Sequence, residues 1–366
     1  MAKYRFDQVA RECRTTFKGD KNGMPIVGLE HLVPNEMLVR DFEVDTENTF
    51  TKSFKQGQIL FGRRRAYQQK AGVAQFDGIC SGDITVIEAI PGKIEPNLLP
   101  FIVQNEQFFE HAVQGSAGSL SPRVKWEHLA SYEIELPTME KQRVLADKLW
   151  TAYRLKESYK KLLAATDEMV KSQFIEMFKN LPVNGVIKDL TVGNIASVKK
   201  SYSKEDIINY IDISSIDNTT KTIVETSEHL VTKAPSRAQQ CVQKGDILVS
   251  TVRPINRNIA VIEEDTSHLV ASTGFCILRP QEGYKEYLLS IVLSDTYTEK
   301  MCDKANGGLY PAVNNSDVLN YGIHIPDEDT AKKVSALYQQ SDKSKFELRK
   351  STEAIDRVIK SLINNV

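Results

Sequence analysis

The 366-residue chain has no run approaching the roughly 18 uninterrupted apolar residues that cross a bilayer, and Met1 to Phe6, with Lys3 and Arg5, lacks the apolar stretch of a secretory signal. The expected location is cytoplasmic, with no membrane partner. Its five cysteines, Cys13, Cys80, Cys241, Cys276 and Cys302, are odd in number, scattered and never in C-x-x-C spacing. That argues against both a disulfide framework and a zinc site. The six histidines (His31, His111, His128, His229, His268 and His324) stand singly, with no i,i+4 pair. Cap or surface roles are expected of them rather than metal ligation.

Neither charge is in excess: 47 Lys and Arg face 48 Asp and Glu, a formal net charge of −1. A globally basic coat is excluded. Catalytic signatures are missing as well, since the chain has no G-x-x-x-x-G-K-[ST] phosphate loop, no H-E-x-x-H, no G-x-G-x-x-G after a strand and no Asn/Asp-Pro-Pro-aromatic tetrapeptide. Pro326-Asp327-Glu328-Asp329 reads as a helix start rather than a nuclease hairpin. The expectation is a chain with no catalytic residues, no bound cofactor and no metal.

One local absence is informative. None of the 19 glycines and 13 prolines falls in Thr138–Leu181 or Asp327–Val366. An even scatter would place about seven there, and because Gly costs about 1 kcal/mol and Pro about 3 inside a helix, these windows are where long helices can form. The first carries a stripe at Leu145, Leu149, Ala152, Leu155, Tyr159, Leu162, Thr166 and Met169; the second at Leu348, Thr352, Ile355, Ile359 and Leu362. Neither stripe can bury itself, so pairing of the two helices is expected.

The segments before the helices repeat each other. Phe54-Lys55-Gln56-Gly57-Gln58-Ile59-Leu60 is echoed 188 residues later by Val242-Gln243-Lys244-Gly245-Asp246-Ile247-Leu248. Pro122, Val124, Leu129, Tyr132, Ile134, Leu136 and Pro137 match Pro311, Val313, Val318, Tyr321, Ile323, Ile325 and Pro326 at a constant 189. The chain therefore reads as four parts: domain 1–137, helix 138–181, domain 182–326, helix 327–366. Each domain is expected to be α+β with a small mixed or antiparallel sheet. Strands are expected at Ile59–Phe61, Ile84–Ile87, Tyr210–Ile213, Asp246–Val252, Ile259–Ile262 and Phe275–Leu278, and short helices near Asp7–Cys13, Leu98–Gln114 and Lys285–Lys300.

The chemistry that stands out is polar and basic. Arg63, Arg64, Arg65, Tyr67, Gln68, Gln69 and Lys70 follow the strand Ile59–Phe61, and the segment Arg63–Lys70 carries +4 with no acid. At the matching strand exit stand Ser250, Thr251, Arg253, Asn256, Arg257 and Asn258. Arg fits guanine O6/N7 or phosphate, Gln and Asn can grip adenine, and hydroxyls add phosphate contacts. Each loop alone reads more readily as a solvated basic turn; their paired placement puts a reader of nucleic acid on an equal footing with that reading. A second shared loop, with Ser116, Ser119 and Arg123 in one copy and Asn306 and Tyr310 in the other, could bring backbone amides close to phosphate or simply lead into the next strand.

Together these motifs resemble the DNA-specificity subunit of type I restriction-modification systems. The carriers are the Gly-Gln/Asp-Ile-Leu strand with its polar exit, the small-residue loop running to Leu136-Pro137 or Ile325-Pro326, and Thr138-Met139-Glu140-Lys141-Gln142-Arg143-Val144-Leu145 entering the first helix. The resemblance covers nearly the whole chain. It implies two target-recognition domains held apart by two long antiparallel helices, a coiled-coil-like spacer. Each domain would read one half of a bipartite asymmetric site in double-stranded DNA, and helix length would set the gap. The helices would also dock two methyltransferase subunits, with restriction and translocase subunits joining the complex; S-adenosylmethionine, ATP and Mg would belong to those partners. One departure is that Ala331 stands where the second helix would have its equivalent of Gln142. Other readings remain: a recognition module of another modification or phage-defence complex, a duplicated protein-binding scaffold, or an enzyme with an unrecognised site.

Overall fold

The computed structural model describes residues 2–118, 120–193, 195–264 and 267–364. The chain divides into two compact units, with the divisions at Lys161/Leu162 and Glu347/Leu348, so both long helices contribute to both units.

In the first unit, Ala10–Cys13, Ile84–Ala89, Ile59–Gly62, Ala71–Ala74 and Leu38–Val39 form a five-stranded sheet in that spatial order. Only Leu38–Val39 runs parallel to its neighbour. Both faces are covered. Side chains alternate across a strand, and Ile59, Phe61 and Ile87 join the large core with Phe6, Phe108 and Phe109, whereas Leu60, Ile84 and Val86 join a second core with Val27 and Phe54. This is why the strands read as unbroken apolar runs. The helix Glu106–Gln114 lies on the larger core, with Phe109 stacked on Phe61 at 5.4 Å between ring centres. The segment Asp7–Cys13 is a correction to the sequence reading: only Phe6–Gln8 makes a short helical turn, and Ala10–Cys13 is a strand paired with Ile84–Ala89, where Arg11 faces Glu88. Cross-strand pairing overrides the local helical preference.

In the second unit, Ile247–Ser250 lies between Ile259–Val261 and Phe275–Leu278, all antiparallel. A four-stranded mixed sheet, Ser227–Leu230, Ile207–Ile211, Leu269–Ser272, Ala238–Cys241, stands beside it. Ile247 and Val249 enter one core with Tyr287 and Leu288, while Leu248 enters another with Ile211 and Phe275. The alternation repeats that of the first unit. The helical region expected at Lys285–Lys300 is two helices, Lys285–Leu293 and Asp295–Lys304, separated by Ser294, whose side chain accepts from the Tyr297 amide as an N-cap.

The long helices span Met139–Phe178 and Glu328–Ile363. Each starts against its own domain. Gln142 is buried at the first start, donating to the Pro137 carbonyl at 2.9 Å and accepting from the Glu95 amide at 3.0 Å. At the second start Ala331 leaves no such side chain; Tyr284 donates to the Pro326 carbonyl at 3.4 Å, Tyr287 donates to His324, and Asp327 caps the Thr330 amide at 2.8 Å. Different residues thus satisfy the same kind of backbone acceptor.

Within the first unit, Ile359 and Leu362 of the second helix pack on the core that holds Leu145 and Leu149, and Lys156 pairs with Asp356 at 2.6 Å. Within the second, Phe174 shares a core with Val334 and Tyr338, and Lys345 pairs with Asp167 at 3.0 Å. The sequence stripe is only partly the buried face. Leu149 is fully buried, Tyr159, Leu348 and Ile355 are half-buried, and Leu155, Leu162 and Met169 are 44–50% exposed. Ala146, Tyr153, Val170 and Phe174 are the buried positions that the stripe missed.

Candidate nucleic-acid interface

The two polar strand exits are hairpin loops with one backbone. In the first unit the strands Ile59–Gly62 and Ala71–Ala74 are joined by a loop containing a single 3-10 turn, Ala66–Gln68, flanked by left-handed Arg65 (φ 54°) and Gln69 (φ 52°). In the second unit Pro254–Asn256 makes the turn between left-handed Arg253 (φ 49°) and Arg257 (φ 50°). A left-handed L-residue costs roughly 1–2 kcal/mol, so such a repeated conformation needs a matching set of restraints.

Those restraints are backbone hydrogen bonds, and they match one for one. The Gly62 amide reaches the Lys70 carbonyl at 2.8 Å and Ser250 reaches Asn258 at 3.0 Å. Arg63 is held on Asp83 and Thr251 on Gly274, both at 2.9 Å. The small-residue loop closes the arrangement: Arg65 donates to Pro122 at 2.8 Å and Arg253 to Pro311 at 2.7 Å, while Val124 donates to Arg63 and Val313 to Thr251, both at 2.9 Å. Gly118 (φ 113°) and Gly307 (φ 112°) make the same turn in that loop, a conformation glycine adopts freely.

On this shared scaffold the side chains diverge. In the first unit Arg64 donates to the Ser121 hydroxyl at 3.0 Å, and Arg123 holds Asp83 with two bonds of 2.6 and 3.1 Å. The Arg123 guanidinium, bonded to Asp83, keeps its carboxyl below the usual carboxylate range. The Nε atoms of Arg63, Arg64 and Arg65 are buried without a hydrogen-bond partner. Tyr67 is 59% exposed at the apex, with Gln68 and Gln69 half-buried beside it. In the second unit Arg253 lies over the Tyr310 ring, 4.5 Å from its centre, and donates to the Leu309 carbonyl at 2.9 Å. Asn256 is exposed and Asn258 half-buried. Arg257 pairs with Asp295 at 2.5 Å, and the Lys221 ammonium donates to its carbonyl at 2.7 Å. Burial, and then the neighbouring Arg257, push the Lys221 pKa down.

Several expected contact groups instead brace the loops. Lys70 donates to the Leu29 carbonyl at 2.7 Å, Ser250 to Val252 and Thr251 to Gly274 both at 2.9 Å, and Ser116 to Ala112 at 2.9 Å. Ser250 and Thr251 are buried, so their hydroxyls face carbonyls rather than a ligand. Asn306 pairs with Ala312 through the backbone and turns its amide onto Lys304. Ser119 lies outside the described residues. The sequence reading missed Asp83, Ser121 and Asp295, which hold the arginines, because they come from distant segments. It also missed two apolar neighbours of the basic loops, Leu120 and Leu309, although the 189-residue offset aligns them.

Other potential chemistry is structural. Two histidines that stand singly in sequence form a stacked pair: the rings of His111 and His128 lie 4.2 Å apart, and each Nε2 bonds the other's carbonyl, at 2.8 and 2.7 Å. Burial pushes the Cys80 and Cys276 thiols up to about 12. Among the described residues no group of His, Cys, Asp and Glu could hold a metal ion, and no helix is long and apolar enough to cross a membrane.

The chain is similar to known proteins. Residues 9–165 match the type I restriction modification DNA specificity domain. The type I restriction enzyme HindI specificity subunit of Haemophilus influenzae is 24% identical over 184 residues, covering 49% of this chain and 40% of that protein. The EcoDI specificity subunit of Escherichia coli is 22% identical over 187 residues, covering 48% and 40%. The chain thus spans 40% of the length of either relative. Two solved structures share the fold over 99% of the chain. One, from work on complex assembly and conformational transition of the type I R-M system, has a TM-score of 0.57 at 16% identity and is covered over 96%. The other, the S subunit of a type I restriction-modification system from M. genitalium, has a TM-score of 0.52 at 13% identity and is covered over 95%. Residues 9–165 therefore resemble a type I restriction modification DNA specificity domain, and the chain as a whole shares the fold of a type I specificity subunit.

Proposed function

We propose that this chain is the non-catalytic, sequence-specific DNA-binding subunit of a type I restriction-modification complex, and that each strand-exit loop reads one half of a bipartite asymmetric site. The observation that carries this reading is the duplicated loop: one hydrogen-bonded backbone presents Arg63, Arg64, Arg65, Tyr67 and Gln68 in one unit and Arg253, Ile255 and Asn256 in the other. Two readers of different bases require a constant frame and variable side chains. Near-neutral charge fits a reader that depends on partners for much of its phosphate neutralisation. In this reading two methyltransferase subunits dock on the long helices, where Leu155, Leu162 and Met169 remain partly exposed. Those subunits, with the restriction and translocase subunits, would supply S-adenosylmethionine, ATP and Mg chemistry.

Sequencing methylated adenines in cells with and without the chain tests the proposal. One split motif should appear only when the chain is present. An unchanged methylation pattern, in cells where the methyltransferase partner is expressed, would overturn it.

A further inference from the structure

Leu120 and Leu309 are the most exposed large apolar side chains among the described residues, at 88% and 85%. They occupy the same position in the two copies, two residues after the left-handed glycine and two before the proline whose carbonyl anchors the arginine loop. Around them the copies differ: Gly118-Ser119-Leu120-Ser121-Pro122 corresponds to Gly307-Gly308-Leu309-Tyr310-Pro311. A scattered surface leucine needs no explanation. A highly exposed leucine at one repeat position, when its immediate neighbours differ between the copies (Ser119 and Ser121 against Gly308 and Tyr310), does.

A guanidinium stands beside each. Arg64 bonds the Ser121 hydroxyl next to Leu120, and Arg253 bonds the carbonyl of Leu309 itself. Each leucine also shares its loop seam with a second exposed apolar apex, Tyr67 (59%) or Ile255 (67%). An apolar tip next to fixed positive charge suits a ligand that is anionic outside and apolar within, which describes a DNA duplex: phosphates flank a stack of bases. Leucine is among the side chains that wedge between base steps, partly unstacking them. The Pro122 and Pro311 carbonyls, two residues beyond each leucine, are tied to the arginine loops by main-chain hydrogen bonds.

We propose that Leu120 and Leu309 are DNA wedges, each entering one base step in the half-site that its own loop contacts while the adjacent arginine takes a flanking phosphate. This rests on the DNA-reading function proposed above and adds a deformation step to it.

The test uses the full-length chain in complex with the methyltransferase subunits that co-purify with it, and duplexes carrying 2-aminopurine at successive positions of the methylated motif. The wild-type complex should give a fluorescence rise at one step in each half-site. Leu120→Ala should abolish one rise and Leu309→Ala the other, each weakening specific binding about tenfold, with Leu→Met retaining most of both. Salt dependence should not change, because no charge is removed. Flat fluorescence in the wild-type complex, or alanine variants that bind the motif as tightly as wild type, overturns the wedge alone. Loss of methyltransferase co-purification in the leucine variants overturns it in favour of a protein contact. A wild-type complex with no preference for any duplex overturns the parent reading as well.

Discussion

Arg123 grips Asp83 through two parallel hydrogen bonds, and Asp83 in turn supplies the backbone carbonyl that holds the Arg63 amide. One acidic residue therefore holds both the start of the basic loop, at Arg63, and the end of the small-residue loop, at Arg123. Its folded pKa lies below the ordinary carboxylate value because the charged form is bonded to Arg123. The stabilisation is then fully present above about pH 4, the ordinary Asp range, and is lost as pH falls through the lower folded value. The stability gap between wild type and Asp83→Asn should be present at pH 6 and close below about pH 4 in thermal melts. A gap that widens on acidification would contradict the assignment.

Asp246 is buried, with Arg279 bonded to both its carboxylate oxygens at 2.8 and 2.7 Å. Removing the arginine strands a carboxylate in the core of the second unit, so Arg279→Met should cost about 3 kcal/mol. The double variant Asp246→Leu with Arg279→Met should recover most of that loss, because no unpaired charge remains. Denaturant titration of all three proteins measures it.

Gly115 lies against the stacked histidines, and a Cβ there would fall on the His128 ring. Gly115→Ala should destabilise the first unit by about 1–3 kcal/mol through overpacking. Gly308→Ala, at a glycine with open space around it, is the control and should be nearly neutral in the same melting assay.

Arg63→Ala combined with Arg64→Ala removes two guanidiniums from one loop only. Modification should relax in one half of the bipartite motif while the other half stays specified, and the salt slope of binding should fall by about one for each phosphate that the missing guanidiniums neutralise in wild type. Equal relaxation of both halves would contradict two independent readers.

How much of the molecule is legible in its sequence depends on how local the determinants are. The long helices follow from the absence of Gly and Pro, and their observed ends lie within about three residues of those windows, the usual margin for helix boundaries. Phe275–Leu278 is a strand just where its apolar run ends. The polar strand exits are legible as matching loops but not as a set of side-chain partners. Thr251 reads as a phosphate-binding hydroxyl until Gly274, distant in sequence, is seen to accept from it; Lys70 reads as a free cation until Leu29 does the same. That Ala331 stands where the second helix would have its equivalent of Gln142 is plain in the sequence, but that Tyr284 and Tyr287 serve the carbonyls nearby is not.

The loop restraints have an evolutionary consequence. The bonds that tie Arg65 to Pro122 and Arg253 to Pro311 run between main-chain atoms, so they do not depend on the side chains displayed at the turn apex. The exposed apex residues Tyr67 and Ile255 can therefore be exchanged with little effect on folding stability, whereas buried Ala66 cannot. Under the function proposed above, selection for a new DNA word could act on Tyr67 and Gln68, or on Ile255 and Asn256, one unit at a time while the main-chain frame stays the same.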